Sequence, residues 1–139
     1  MFKNSIRNAA AVFVVVVFSS FALLLVTPSA AQSPAVTRKI LQREDSAIPG
    51  YEVVLATVEI PVGGREGRHT HPGLVMVYVR EGVLTLDYEG KPTATYKAGD
   101  SFYVEPGKIH EGHNNGTTPV NVVGTFVVKK GVPMTTQVP

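Results

Sequence analysis

The sequence predicts an all-β fold, either a sandwich or a barrel. Most of the chain after residue 50 consists of short segments rich in Val, Ile, Thr, Tyr and Phe, residue types that favour strands. Turns containing Gly or Pro separate these segments at intervals of about 8–12 residues, the spacing typical of all-β domains. No segment after the first thirty or so residues shows helical periodicity longer than one turn. The 139 residues are enough for one such domain.

The N-terminal residues 1–31 are predicted to be a secretory signal peptide. Lys3 and Arg7 form a short basic head, an uncharged apolar run follows over residues 9–26, and small residues at 27–31 form a cleavage pattern before Gln32. The alternative is a membrane anchor, because the apolar run approaches the roughly 20 residues of a bilayer span. The small residues favour cleavage. We therefore expect a periplasmic or secreted protein with no membrane attachment after cleavage.

The mature chain is predicted to be electrically neutral. The sequence has 13 Lys and Arg and 11 Asp and Glu, so removal of Lys3 and Arg7 leaves 11 charges of each sign. No Lys/Arg cluster of the kind required for nucleic-acid binding is present, and we expect no nucleic-acid partner. The sequence contains no cysteine, so neither a disulfide nor a lipid anchor on an N-terminal Cys is available and stability must come from an apolar core.

The predicted elements follow one another without an internal repeat. Residues 32–50 form an N-terminal arm with a first strand over residues 38–44, and the pair Pro49-Gly50 ends it in a turn. Residues 51–130 form the main domain, with strands predicted at residues 51–60, 74–80, 83–89, 93–97, 101–104 and 120–130. The segment 74–80 is apolar on both faces, which indicates burial between two layers. Residues 131–139 are predicted to be an irregular tail.

Two histidines follow a glycine-rich turn at residues 63–67. In an extended chain alternate side chains point to the same face, so His69 and His71 are expected to face the same way. His110, which follows the tight turn Glu105-Pro106-Gly107, is the natural candidate for a third ligand. If the three side chains converge, they form a metal site.

These residues lie in two spaced motifs that resemble those of the cupin superfamily. The first is carried by Gly63, five intervening residues, His69-Thr70-His71 and Gly82; the second by Gly99, five intervening residues, Glu105 to His110 and Asn114. The 16 residues between the motifs, 83–98, resemble the short spacer of small one-domain cupins. The chain is thus similar to small exported proteins of the cupin-2 type.

The resemblance implies an antiparallel jelly-roll β-barrel with a metal in its mouth, and a homodimer. Carried over residue by residue, it implies His69, His71 and His110 as metal ligands. The sequence departs from the family pattern at one place, because the spacing to Gly82 puts Val75 where the family has an acidic ligand. The expected site therefore contains three histidines and no carboxylate from that position.

Neutral imidazoles suit Zn, Cu, Fe or Ni. The expected cofactor is a divalent transition metal, namely Fe, Zn, Cu, Ni or Mn. Three protein ligands leave positions open for water or substrate, an arrangement typical of catalytic sites. We expect a metal-dependent, dioxygenase-like enzyme acting on a small organic molecule, although the residues identify no general base. The alternatives are a non-catalytic cupin that binds a small molecule or metal at a degenerate site, and a structural protein whose barrel is only a scaffold.

Other residues near the motifs carry weaker predictions. His113 lies three residues after His110, so it should face the opposite side of a strand, as a solvent or interface histidine. Glu105 and Glu111 are possible substitutes for the missing carboxylate. Arg65 and Arg68 flank the histidines, where they either meet an anionic substrate or lie exposed on a loop.

The strand that begins at Leu74 has one face that is predicted to line the metal pocket. If Val75 keeps the inward direction of the acid that it replaces, Val77 and Val79 face inward with it, whereas Met76 and Tyr78 face the other side. An apolar lining suits a pocket that excludes water around an organic ligand. The alternative is ordinary core packing, and the same choice applies to Phe102, Val104 and Phe126.

Overall fold

The computed structural model describes residues 33–139; the predicted signal peptide at residues 1–31 lies outside them. The described chain forms ten strands: β1 (Thr37–Asp45), β2 (Tyr51–Ile60), β3 (His69–Thr70), β4 (Leu74–Glu81), β5 (Val83–Tyr88), β6 (Lys91–Lys97), β7 (Ser101–Val104), β8 (His110–His113), β9 (Val120–Lys129) and β10 (Thr136–Gln137). Within residues 33–139 there is no helix with the length and apolar character that a membrane span needs.

The strands form two antiparallel sheets that enclose the core. The first sheet has the order β1-β2-β9-β4-β7 and the second has the order β10-β3-β8-β5-β6. Alternate residues of β2, from Val54 to Ile60, are buried, and so are alternate residues of β9. They pack against Leu84 and Leu86 of β5. Burying each Val, Ile or Phe side chain among them contributes about 1.5–3 kcal/mol, and the sequence's period of two directs one face of each strand inward. The predicted all-β jelly-roll barrel is confirmed.

The strand predictions for β2 and β7 match the structure at both ends, and those for β1, β4, β5, β6 and β9 agree within one or two residues. The predicted burial of β4 between two layers is wrong. Val75 and Val79 are buried, but Met76 and Tyr78 on the opposite face are 50% and 48% exposed. In the described part of the chain no second layer covers this outer face of the first sheet.

The tail was also predicted incorrectly. Residues 131–139 are not irregular throughout, because Thr136 and Gln137 form β10 and pair with Thr70 and His69 of β3. Two short strands, β3 and β8, were not separately predicted, and both carry histidines. The register places His69 directly opposite His110. The second sheet thus brings together residues that lie 41 positions apart in the sequence.

Candidate metal centre

The structure brings His69, His71 and His110 together. His69 and His110 face each other across the β3–β8 pair, with ring centroids 4.3 Å apart. The His71 ring lies 4.9 Å from that of His69 and 5.0 Å from that of His110. All three side chains are buried, and one ring nitrogen of each lies within 4.8 Å of the other two. This cluster has the arrangement needed to hold a single metal ion.

Each of the three rings is fixed by a backbone carbonyl. The Nδ1 atoms of His69, His71 and His110 lie 2.8, 2.8 and 3.0 Å from the carbonyl oxygens of Gly67, Met134 and Lys108. A carbonyl oxygen can only accept a hydrogen bond, so each Nδ1 must carry the proton. Each Nε2 then keeps its lone pair, which is the form of the ring that binds a metal.

Burial keeps the rings of His71 and His110 uncharged. It lowers the pKa of His71 to about 3, and the neighbouring His69, His110 and Arg38 lower it further, although the hydrogen bond to Met134 opposes them. Burial likewise lowers the pKa of His110 to about 4, against the opposing effect of its bond to Lys108. At neutral pH both rings are therefore neutral, and a metal ion does not have to displace protons from them.

The histidines open into a small apolar cavity of about 40 Å³ inside the barrel. Val75 and Val77 line it, as predicted for inward-facing residues of β4, whereas Val79 lies in the core and not among the lining residues. Phe102, Val104 and Phe126 also line the cavity. The methyl groups of Val75 therefore form part of the cavity wall.

Glu105 and Glu111 were considered as substitutes for the acidic ligand that Val75 replaces. Neither is among the residues that line the cavity. The carboxylate of Glu105 accepts a hydrogen bond from the Tyr88 hydroxyl at 3.1 Å. Glu111 follows His110 on β8, faces the outer side of the second sheet, and binds Arg65 through two hydrogen bonds of 2.9 and 2.7 Å. Both carboxylates therefore have other partners.

His113 faces away from His110, as predicted, but the solvent-exposed assignment is wrong. Its side chain is only 5% exposed. Its ring nitrogens lie 3.1 Å from Asp87 and 3.1 Å from Asn115. The two arginines have partners as well: Arg65 binds Glu111, and Arg68 donates to the carbonyl of Pro139. A role for either arginine in meeting an anionic substrate would require these bonds to break.

Two charged residues that the sequence reasoning missed line the cavity, Arg38 and Glu66. Arg38 pairs with Val58 across β1 and β2 and therefore faces inward with it, a register that strand alternation could have suggested. Glu66 lies in the loop before β3, where Gly67 has a φ of +74°. That turn breaks the alternation, so counting back from His69 does not give the direction of Glu66.

Comparison with known proteins identifies the family. The sequence profile described as "Cupin domain" matches residues 56–128, which is more than half of the chain. The chain belongs to the cupin family. The two motifs that hold the histidine cluster both fall inside the matched region.

A curated relative is similar in sequence over part of its length. The chain is 36% identical to Germin-like protein subfamily 2 member 2 of Arabidopsis thaliana, an alignment that covers 57% of this chain and 40% of that protein. The chain thus spans about two-fifths of the length of that curated relative.

Two solved structures share the fold. One is an uncharacterised protein with a double-stranded β-helix domain from Klebsiella pneumoniae, with a TM-score of 0.62, 18% identity and coverage of 81% of this chain and 90% of that one. The other is oxalate oxidase, with a TM-score of 0.56, 26% identity and coverage of 63% and 46%.

Proposed function

We propose that this protein is an exported, metal-dependent cupin enzyme that acts on a small organic molecule with dioxygenase-like chemistry. Its ligands for a divalent transition metal are His69, His71 and His110. The observation that carries the proposal is that all three rings donate Nδ1–H to backbone carbonyls. This arrangement leaves the Nε2 lone pair of each ring free to bind an ion, and one ring nitrogen of each histidine lies within 4.8 Å of the other two.

A bound divalent ion would supply Lewis acidity and, if it is redox-active, chemistry with dioxygen. The chain's own contribution is to hold the ligands and exclude water. Val75, Phe102 and Phe126 give the cavity apolar walls, and its volume of about 40 Å³ restricts what enters. Pockets for drug-sized ligands measure about 300–1,000 Å³. The substrate is therefore small. The similarity to oxalate oxidase supports an oxidoreductase.

The second candidate function is non-catalytic binding of a metal or small molecule. The presence of Val75 favours non-catalytic binding, because an apolar side chain at the family's acidic position supplies neither a metal ligand nor a proton acceptor. In this alternative the same histidine cluster holds metal, and no reaction follows. Oxygen consumption by the metal-loaded protein, measured with panels of small phenols, thiols and carboxylic acids, distinguishes the two functions.

Elemental analysis of the purified mature protein tests metal binding directly. We expect a transition metal at up to one ion per chain, and loss of metal uptake in His110→Ala. His113→Ala is the matched control, because it removes a buried histidine from the same strand but from its opposite face. A wild-type protein that carries no transition metal and cannot take one up would overturn the proposal.

Export and assembly belong to the same proposal. Processing after Ala31 would release a mature protein that begins at Gln32, which N-terminal sequencing of material recovered from the periplasm or medium would detect. Two mature chains would then associate as a homodimer. An unprocessed N-terminus in the membrane fraction would contradict the export proposal.

A further inference from the structure

Glu66 is the only carboxylate among the described residues that line the histidine cavity. The preceding residue, Arg65, pairs with His113 and lies on the outer side of the second sheet, so Glu66 is directed to the inner side. There its carboxylate lies against Gly112, where an added Cβ would overlap it. Gly112 is two residues from His110 and shares its face. Because Gly112 has no side chain, the Glu66 carboxylate fits beside the proposed metal ligands.

Arg38 is the present partner of this carboxylate. Its guanidinium donates to one Glu66 oxygen at 2.7 Å, and the two side chains are 33% and 15% exposed. The more exposed partner of the pair is thus the arginine, which can be hydrated by solvent if the carboxylate leaves it. The loop that carries Glu66 is itself held in place, since the Glu66 amide donates to the Gly112 carbonyl at 3.0 Å.

A divalent ion bound by three neutral imidazoles would place two positive charges in an apolar cavity. A buried charge without a counter-charge is strongly unfavourable. Building on the proposed function, we propose that Glu66 exchanges Arg38 for the metal and becomes a fourth, oxygen ligand. Arg38 then forms an ion pair with the carboxylate only while no metal is bound. The Glu66 carboxylate does not belong to the group of ligand atoms that lie within 4.8 Å of one another, so the exchange requires its side chain to change rotamer.

The proposal makes opposite predictions for the two members of the ion pair. Glu66→Gln removes the charged oxygen and should lower the affinity for Zn²⁺ by about 10–100-fold, the range measured when groups around a metal site are removed. Arg38→Gln removes the competitor for the carboxylate and should raise the affinity. If the pair were only structural, both variants would affect stability and neither would change Zn²⁺ affinity in this way.

Titration calorimetry with Zn²⁺ and the visible absorption spectrum with Co²⁺ measure affinity and the ligand set separately. Glu66→Gln should change the Co²⁺ spectrum, whereas the control Glu105→Gln, which removes a carboxylate outside the cavity, should leave affinity and spectrum as in the wild type. If wild-type binding depends on His110 but Glu66→Gln behaves like the wild type, the Glu66 proposal is overturned and the three-histidine site stands. If the wild type binds neither ion, both are overturned.

Discussion

Val75 is a position on the cavity wall at which a carboxylate can be added. It is 1% exposed and lies on β4 opposite Val104 and Phe126. Val75→Glu adds a carboxylate to the cavity, so the affinity for Zn²⁺ should rise. The metal-free protein should lose about 2–3 kcal/mol, because a polar group is buried without a partner. Calorimetry and thermal unfolding with and without Zn²⁺ measure the two effects.

Val79→Glu is the matched control for this substitution. Val79 is equally buried and lies on the same face of β4, but it packs in the core and not against the cavity. We expect it to destabilise the protein without raising Zn²⁺ affinity. Equal affinities for Val75→Glu and the wild type would show that the β4 wall lies too far from the histidines to contribute a ligand.

The lowered pKa values of His71 and His110 make the stability of the metal-free protein depend on pH. The ordinary value of 6.5 falls to about 3 and about 4 in the folded state. Between pH 6.5 and about 4 the unfolded chain binds more protons than the folded chain, so the free energy of unfolding decreases as the pH falls. Each histidine contributes a slope of at most about 1.4 kcal/mol per pH unit.

Urea unfolding of the metal-free protein at a series of pH values tests this expectation. The wild type should be most stable above pH 6.5 with respect to these two groups, and a variant with both histidines changed to Gln should show a flatter profile in the acid range. If the two profiles are parallel, the two rings do not titrate differently in the folded and unfolded chains.

Single residues also show what the sequence could predict. Alternation along an extended chain was enough to predict that His69 and His71 share a face, and the resemblance to the second cupin motif indicated His110 as the third member. The register of β3 and β8 places His110 opposite His69. The acidic residue in the cavity was not predictable in this way, because Glu66 is separated from His69 by Gly67 in a left-handed conformation. Its inward direction depends on the pairing of Arg65 with His113, which only the folded sheet reveals.

At the scale of elements, the C-terminal segment helps to orient the histidine cluster. The Met134 carbonyl accepts from His71 Nδ1 at 2.8 Å, and β10 pairs with β3. Deleting residues 133–139 removes both interactions. The His71 ring would then be free to turn, and metal affinity should fall by about 10–100-fold. Zn²⁺ calorimetry measures the change, and circular dichroism verifies that the barrel remains folded.

Deletion of Pro139 alone is the control for this truncation, because it leaves Met134 and β10 in place. Its affinity should remain close to that of the wild type. An unchanged affinity in the longer truncation, with the barrel intact, would show that the ring of His71 is oriented without the tail.

The short length of β10 explains why the tail was predicted to be irregular. β10 has two residues, and its existence depends on backbone hydrogen bonding to β3, a partner more than 60 residues away. Local propensity cannot reveal such a strand. The long strands β2 and β9 were predictable because ten consecutive residues in each carry an alternating, β-branched pattern.

At the scale of the whole molecule, the two motifs and the regular spacing of turns were enough to predict the barrel. They did not reveal which sheet face would remain uncovered. Apolarity on both faces of β4 was interpreted as burial between two layers, but the described chain covers only the inner face. Met76 and Tyr78 of β4 and Tyr103 of β7 form an exposed apolar surface on the outer face of the first sheet.

We propose that a second copy of the chain covers this surface, because apolar side chains on β4 would then be buried on both faces. We expect the mature protein to be a homodimer by size-exclusion chromatography with light scattering. Tyr78→Glu places a charge on this surface and should give a monomer that remains folded. Val83→Glu, which changes an equally exposed apolar residue on β5 of the other sheet, should remain dimeric. A monomeric wild type, or a Tyr78→Glu variant that is still dimeric, would place any self-association elsewhere on the molecule.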